Sequence, residues 1–279
     1  MFSSREKVFI KSRFWNNAMI VDYHIHTYLC GHAKGKPIEY VKEAERKGIS
    51  EIGFSDHIMV DKWRPEYAMK VTQIEDYIRL VENVEKESSI PVKLGAEVDY
   101  FLGKEEEIRR VVEEFSFDYV IGSVHFLDDW VIDDPRYIRG YYERDINEVY
   151  LQYFSLVEKM ASSRLFDIVG HLDLVKKFGF RPTVDIMPKI TAVLEKIKIN
   201  RLCVEINTSG LEKPAREVYP GERILNICWC MGIPVTLGSD SHKPWEVGRH
   251  FDKALDLMKK VGYKEIATFT KRNQVLKKL

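Results

Sequence analysis

Asp22-Tyr23-His24-Ile25-His26-Thr27 follows the apolar pair Ile20-Val21 and sets two imidazoles two residues apart in an extended stretch. Alternate residues of a strand point the same way, so His24 and His26 converge on one side while Tyr23 and Ile25 face the other. Two nitrogens so placed can share a metal ion, although a lone His-x-His pair serves equally well as two ordinary strand histidines. This pair has company. Ser55-Asp56-His57, Gly95-Ala96-Glu97, Gly122-Ser123-Val124-His125, Gly170-His171-Leu172-Asp173 and Gly238-Ser239-Asp240-Ser241-His242 each close a short apolar or β-branched run. With His32 in the loop after the first run, seven of the eight histidines join one repeated pattern.

Imidazole and carboxylate donors, with no cysteine beside these motifs, suit zinc, manganese or iron rather than a thiolate site. Such a set suffices for two or three ions, with Glu97 as the natural bridge. Metals about 3.5–4 Å apart activate and orient water and neutralise charge on a phosphoryl oxygen, so the expected chemistry is metal-assisted hydrolysis of a phosphate ester. The chain lacks a Gly-x-x-x-x-Gly-Lys-Ser/Thr loop, a Gly-x-Ser-x-Gly elbow and a His-Glu-x-x-His helix, so the common alternatives have no motif to stand on. Asp22, Asp56 and Asp173 read as supports that fix a histidine tautomer or cap a turn. His250, in a helical pattern away from any strand end, reads as a surface or packing residue.

The elements that must position these residues alternate strand and helix, the mark of a parallel sheet. Strands are expected over 20–26, 51–55, 91–98, 118–125, 166–171, 202–207 and 233–239, with a weaker one near 265–269. Between them, Pro37 opens and Gly48 closes one amphipathic helix. Helical patterns also cover 72–88, 104–115, 144–162, 186–199, 221–231 and 249–261. Seven or eight such units favour a closed barrel. Apart from His32 in its loop, the candidate ligands fall at or just beyond strand C-terminal ends, where strand-helix barrels gather their catalytic groups. No linker or low-complexity tract divides the chain, so residues 19–279 are expected to form one domain, preceded by an extension over 1–18 of unassigned role.

Composition narrows the partners. Lys plus Arg equals Asp plus Glu at 43 each, which removes the global basic field of nonspecific nucleic-acid binders and disfavours a nucleic-acid partner. No apolar run approaches the roughly 20 residues of a membrane span, and the first residues lack a signal peptide's apolar segment. Cys30, Cys203, Cys228 and Cys230 form no Cys-x-x-Cys pair and read as reduced thiols. A cytoplasmic location is expected, with the oligomeric state left open.

The ordered motifs from Ile20 to the C-terminus resemble the PHP (polymerase and histidinol phosphatase) family of metal-dependent hydrolases. The resemblance implies a distorted (β/α)7 TIM-like barrel with three divalent ions (Zn, Mn or Fe) at the strand C-terminal ends. By that likeness His24, His26, Glu97 and Asp240 hold one ion, and Glu97 bridges to a second held by His125 and His171. His32, His57 and His242 hold the third. Within the family, the segments Gly170 to Phe178, Glu205 to Leu211, Lys213-Pro214 and Glu217 to Pro220 are most similar to the stand-alone histidinol-phosphate phosphatases of histidine biosynthesis.

That likeness implies a small phosphate-ester substrate, attacked in line by a metal-bridging hydroxide to give inorganic phosphate and an alcohol. Glu97, Asp240 and His242 are the expected catalytic residues, Glu97 by bridging and Asp240 or His242 by orienting water or handling its proton. The alternative is a family phosphatase or phosphodiesterase acting on nucleotides, oligonucleotides or phosphotyrosine. Lys177, Lys213 and Arg216 are candidate phosphate anchors, Arg216 first because a guanidinium binds two oxygens at once. Arg64 and Arg181 rank lower, and Asp99, Tyr100 and Glu217 are nominated for a substrate ammonium or imidazole.

Overall fold

The computed structural model describes residues 18–279, so all but the last residue of the expected extension lies outside the described residues. The first half runs β1 (Val21–Ile25), α1 (Pro37–Lys47), β2 (Glu51–Phe54), β3 (His57–Ile58), α2 (Ile74–Glu87), β4 (Val92–Asp99) and α3 (Glu105–Glu114). It continues with β5 (Tyr119–Ser123), β6 (Phe126–Leu127), β7 (Trp130–Val131), α4 (Ile146–Ser162), β8 (Ile168–Val169) and α5 (Met187–Ile199). The end comprises β9 (Cys203–Asn207), α6 (Glu222–Met231), β10 (Val235–Gly238), α7 (Phe251–Val261), β11 (Glu265–Thr270) and β12 (Asn273–Lys278).

Seven parallel strands pair in the order β1-β2-β4-β5-β8-β9-β10, with β3 beside β4. Every residue of β1, β2, β5, β9 and β10 is buried, as expected of strands covered on both faces. The sheet curls until β1 meets β10. Ile25 bridges Ser241, the His26 N–H donates to Ser241 O at 2.9 Å, and the Ser241 N–H donates to His24 O at 3.0 Å. This is the distorted seven-stranded barrel that the strand-helix alternation and the family likeness led us to expect.

The helices turn apolar stripes inward. In α3, Ile108, Val111 and Val112 are the buried residues, spaced so that one side of the helix meets the sheet. Proline at the first turn and a left-handed Gly48 (φ +74°) bound α1 as its sequence requires. Inside the barrel, the Tyr119 side chain lies across Gly53 of β2 and Gly95 of β4, where added methyl groups would come within 2.1 and 2.2 Å of it. Its hydroxyl donates to Tyr23 O at 2.7 Å.

Three expectations change. The strand near 265–269 is real but stands outside the barrel, forming the antiparallel hairpin β11–β12. Its turn is tied to the starts of β5 and β8 through Arg272 N to Asp118 O (2.9 Å) and Arg272 to Asp167. The strand expected over 166–171 shrinks to two residues, because His171 takes a left-handed backbone (φ +22°) that leaves the ladder. The stretch after Ser123 turns into the small hairpin β6–β7 instead of extending β5.

Candidate metal centre

The candidate ligands leave the barrel at its C-terminal rim. β1 delivers His24, with His26 one residue past its end; β4 delivers Glu97; and the chain after β10 delivers Asp240 and His242. Register places His57 of β3 directly beside Glu97 of β4. Asp240 and His171 hold left-handed backbones (φ +53° and +22°), strain that functional sites commonly retain.

Glu97 is the focus. Its Oε2 lies 3.1 Å from His24 Nε2, 3.6 Å from His26 Nε2 and 2.9 Å from His57 Nδ1. Its Oε1 lies 2.9 Å from His171 Nε2 and 3.7 Å from His125 Nε2. Asp240 Oδ1 sits 3.5 Å from His26 Nε2 and 3.5 Å from His242 Nδ1. All nine sequence-derived ligand candidates therefore meet at one rim. Donor atoms of His24-His26-Glu97, of His57-Glu97-His125 and of His32-His57-His242 lie within 4.8 Å of one another in each group.

Cys30 was not anticipated. Its thiol groups in the same way with His26 and His242, because a short 3-10 turn after Thr27 folds it back over the rim.

A divalent cation fits the donor set. His24 Nε2, both ring nitrogens of His26, His171 Nδ1, His242 Nε2 and Glu97 Oε2 are buried without a hydrogen-bond partner, a costly arrangement unless another electrophile satisfies them. Burial, helped by His57 and His24, lowers the His26 pKa to about 3. Burial and His26 hold His242 well below the ordinary imidazole value. Both rings thus keep the free lone pairs that ligation needs. Burial opposes charge on Glu97, yet His57 and His24 outweigh it and hold the carboxyl well below the usual range. Asp240 is lowered likewise, burial being overcome by His24 first.

A second layer of carboxylates fixes the rings. Glu205 Oε1 accepts from His24 Nδ1 at 2.6 Å, and its Oε2 accepts the His171 N–H at 2.7 Å. Burial opposes a proton on His24, but Glu205, Glu97 and Asp240 raise its pKa well above normal. Asp99 Oδ1 meets His125 Nδ1 at 2.8 Å, and the pair, with Asp133 nearby, overcomes burial to lift His125 to about 10. Asp22 accepts from Ser239 N (2.9 Å) and Gly248 N (2.8 Å), tying β1 to the Asp240 loop. Asp56 holds the backbone and hydroxyl of Thr27, and Asp173 accepts from Gly221 N at 3.1 Å and pairs with Lys176 at 2.8 Å. Glu205 escaped the sequence reading; the available signal was a carboxylate between Val204 and Ile206 in a buried strand.

Above the rim lies a cavity of about 300 Å³, lined by ligand residues together with Lys177, Ser209, Lys213, Lys243 and Arg249. Of the expected phosphate anchors, Lys177 and Lys213 line this cavity, Lys177 paired with Asp133 at 3.0 Å. Arg216 lies exposed on a left-handed turn (φ +53°) and lines neither this cavity nor the one beside it. Lys243 and Arg249 were missed. Arg249 is occupied, donating to Ser239 O at 2.9 Å and Asp240 O at 2.8 Å, so it braces the Asp240 turn. Of the other nominees, Asp99 is bound to His125, Tyr100 donates to Glu105 at 2.5 Å, and Glu217 pairs with Lys176 at 2.9 Å. Arg64 donates to Tyr137 Oη at 3.2 Å and Arg181 pairs with Glu217 at 3.4 Å, both outside this cavity. His250 pairs with Glu212 at 3.0 Å on the surface. Among the described residues no helix is long and apolar enough to cross a membrane.

A family profile described as PHP domain matches residues 22–209. The chain is 40% identical to a probable histidinol-phosphatase of Deinococcus radiodurans, over 91% of this chain and 97% of that protein. It is 28% identical to the histidinol-phosphatase of Lactococcus lactis, over 90% and 94% of the two chains. Among solved structures, the L. lactis histidinol phosphate phosphatase complexed with zinc, L-histidinol and phosphate superposes with a TM-score of 0.75 at 24% identity, covering 92% of this chain and 98% of that one. A putative histidinol phosphatase from Listeria monocytogenes gives 0.76 at 24% identity, over 84% and 99%. The chain belongs to the PHP-domain family, among relatives named histidinol-phosphatase.

Proposed function

We propose that this chain is a metal-dependent phosphomonoesterase that hydrolyses L-histidinol phosphate to L-histidinol and inorganic phosphate. The observation that carries the reaction class is the convergence of nine nitrogen and oxygen donors beneath a cavity walled by lysines. The substrate follows from the near full-length likeness to proteins named histidinol-phosphatase.

The donors present would serve three ions. His24, His26, Glu97 and Asp240 would hold the first, Glu97, His125 and His171 the second, and His32, His57 and His242 the third. When bound, such ions supply Lewis acidity that draws charge from a phosphoryl oxygen and makes water nucleophilic near neutral pH. The protein supplies the rest. Glu205 and Asp99 lock ring orientation and tautomer at His24 and His125. Lys213, half-buried and without an ion-pair partner among the described residues, offers its ammonium to the phosphate. Lys177 and Lys243 line the same wall. Burial and the charge of Lys177 lower the Lys213 pKa, a cost that an incoming dianion relieves.

The test is phosphate release by protein loaded with Zn, Mn or Fe, against histidinol phosphate, nucleoside monophosphates, phosphotyrosine and short oligonucleotides. Histidinol phosphate is expected to lead in kcat/KM. A wide lead for another substrate would replace the substrate assignment and leave the metal centre standing.

A further inference from the structure

Beside the phosphate cavity opens a second one of about 290 Å³, sharing His32, His57, His125, Asp133 and Lys177 with it. Its lining changes character. Met59, Tyr67, Phe126 and Val131 give it an apolar and aromatic wall, with Tyr67 and Phe126 edge to face at 6.5 Å between centroids. Because the two cavities share that border, an ester whose phosphate lies against the lysines of the first has this second space within reach of its carbon skeleton.

The charges of the second cavity are also unlike those of the first. Four carboxylates line it, Glu66, Asp99, Asp133 and Asp134, against two cations, Arg136 and Lys177. Three of the carboxylates are committed. Asp99 is bound to His125 at 2.8 Å and Asp133 to Lys177 at 3.0 Å. Asp134 is bound to Arg136 at 2.6 Å and accepts from Tyr67 at 2.5 Å. Glu66 alone among them forms no ion pair or side-chain hydrogen bond with any described residue.

The loop that presents Glu66 is braced. Trp63 Nε1 donates to Ala68 O at 3.0 Å and to Met69 O at 3.1 Å. Pro65 O packs against Gly31 so closely that a Cβ there would come within 2.0 Å of it. On the far side of Glu66, Tyr67 is fixed by Asp134 and lies under Arg136, 5.5 Å from its ring centroid. These contacts fix the backbone on both sides of Glu66, whose exposed carboxylate borders the cavity with no partner of its own among the described residues.

We propose that this second cavity is the leaving-group subsite and that Glu66 sets its specificity, by pairing with an ammonium on the substrate alcohol. The aromatic wall receives a flat ring, and the uncommitted carboxylate selects an amino alcohol over a neutral or anionic one. This rests on the phosphomonoesterase reading above, and the experiment separates the two. Metal-loaded wild type and Glu66→Gln are compared on histidinol phosphate and on its analogue lacking the amino group. Glu66→Lys is assayed on the same pair, and metal content and thermal melting are recorded for all three.

Wild type is expected to prefer the amine-bearing ester. Glu66→Gln is expected to cut that preference, the ratio of the two kcat/KM values, at least tenfold, and Glu66→Lys to erase or invert it. A ratio that stays within twofold of wild type in Glu66→Gln overturns the assignment of Glu66, as does a wild type indifferent to the amine. Absence of histidinol phosphate hydrolysis in fully loaded wild type overturns the parent reading instead.

Discussion

Glu205 and His24, 181 positions apart in sequence, meet at 2.6 Å between Oε1 and Nδ1, both side chains wholly buried. The same carboxylate accepts the backbone N–H of His171 through its other oxygen, so one side chain fixes a ring on β1 and a strained turn after β8. Partners of this kind typically contribute 10–100-fold to metal affinity. Glu205→Gln is accordingly expected to weaken metal binding about 10–100-fold with the fold retained, measured by competition with a chromophoric chelator. Wild-type affinity in that variant would show that His24 needs no such anchor.

Gly238 tests the same contact from the opposite side. A methyl group there would come within 1.9 Å of Glu205 Oε1 and 2.7 Å of the His24 Cβ. Gly238→Ala must push the carboxylate or the strand aside, which for an overpacked core costs about 1–3 kcal/mol. A lowered Tm together with weaker metal binding is the expected pairing; an unchanged Tm would mean that β10 yields freely.

Five histidines lie within 4 Å of Glu97. Glu97→Gln removes the charge that draws the ligands together and is expected to lose bound metal and nearly all turnover while circular dichroism stays native. Chelation of the wild-type protein is expected to abolish activity, with Zn, Mn or Fe restoring it. A chelated, metal-free protein at full rate would refute the metal dependence.

Lys213→Met keeps the aliphatic stem and deletes the cation. If the ammonium binds the phosphate, KM should rise about tenfold or more, a loss of roughly 1.5–3 kcal/mol for a charge-assisted contact, with metal content unaltered. A variant with wild-type KM would move the phosphate anchor to Lys177 or Lys243.

The Asp134 clamp carries a pH signature. Burial disfavours its charge, but Arg136 and Tyr67 outweigh that and hold the folded-state pKa below the ordinary value. Its contribution is therefore fully present above the unfolded-state pKa of about 3.9 and disappears as pH falls through the lowered folded value. Metal-free Asp134→Asn should melt below metal-free wild type at pH 7, by a small margin because Arg136 is largely solvated. The gap should narrow as the pH drops below about 4. A gap that widens in acid would reverse the sign and discard the clamp.

The candidate ligands were legible because strand geometry writes them into the chain: alternation aims His24 and His26 together, and each remaining candidate except His32 closes or follows an apolar run. Supports were harder to read. Glu205 sits mid-strand, and only the closed barrel reveals that its side chain reaches a ligand on β1. Arg216 was favoured on guanidinium chemistry alone, and its left-handed turn carries it away from the cavity. The β11–β12 hairpin was hidden because Lys271 and Arg272, both at positive φ, lack the Asn-Gly signature of such a turn. Asp118 supplies the constraint instead, accepting from both backbone N–H groups.

The seam between β1 and β10 carries a further meaning. The backbone that closes the barrel, Ser241 laced to His24 and His26, is the same backbone that bears four of the nine ligand candidates. Ring closure and site assembly are thus one event, joining segments more than 200 residues apart. The four candidates cannot come together until β10 has joined β1, and a cation held by His24, His26 and Asp240 would span that seam.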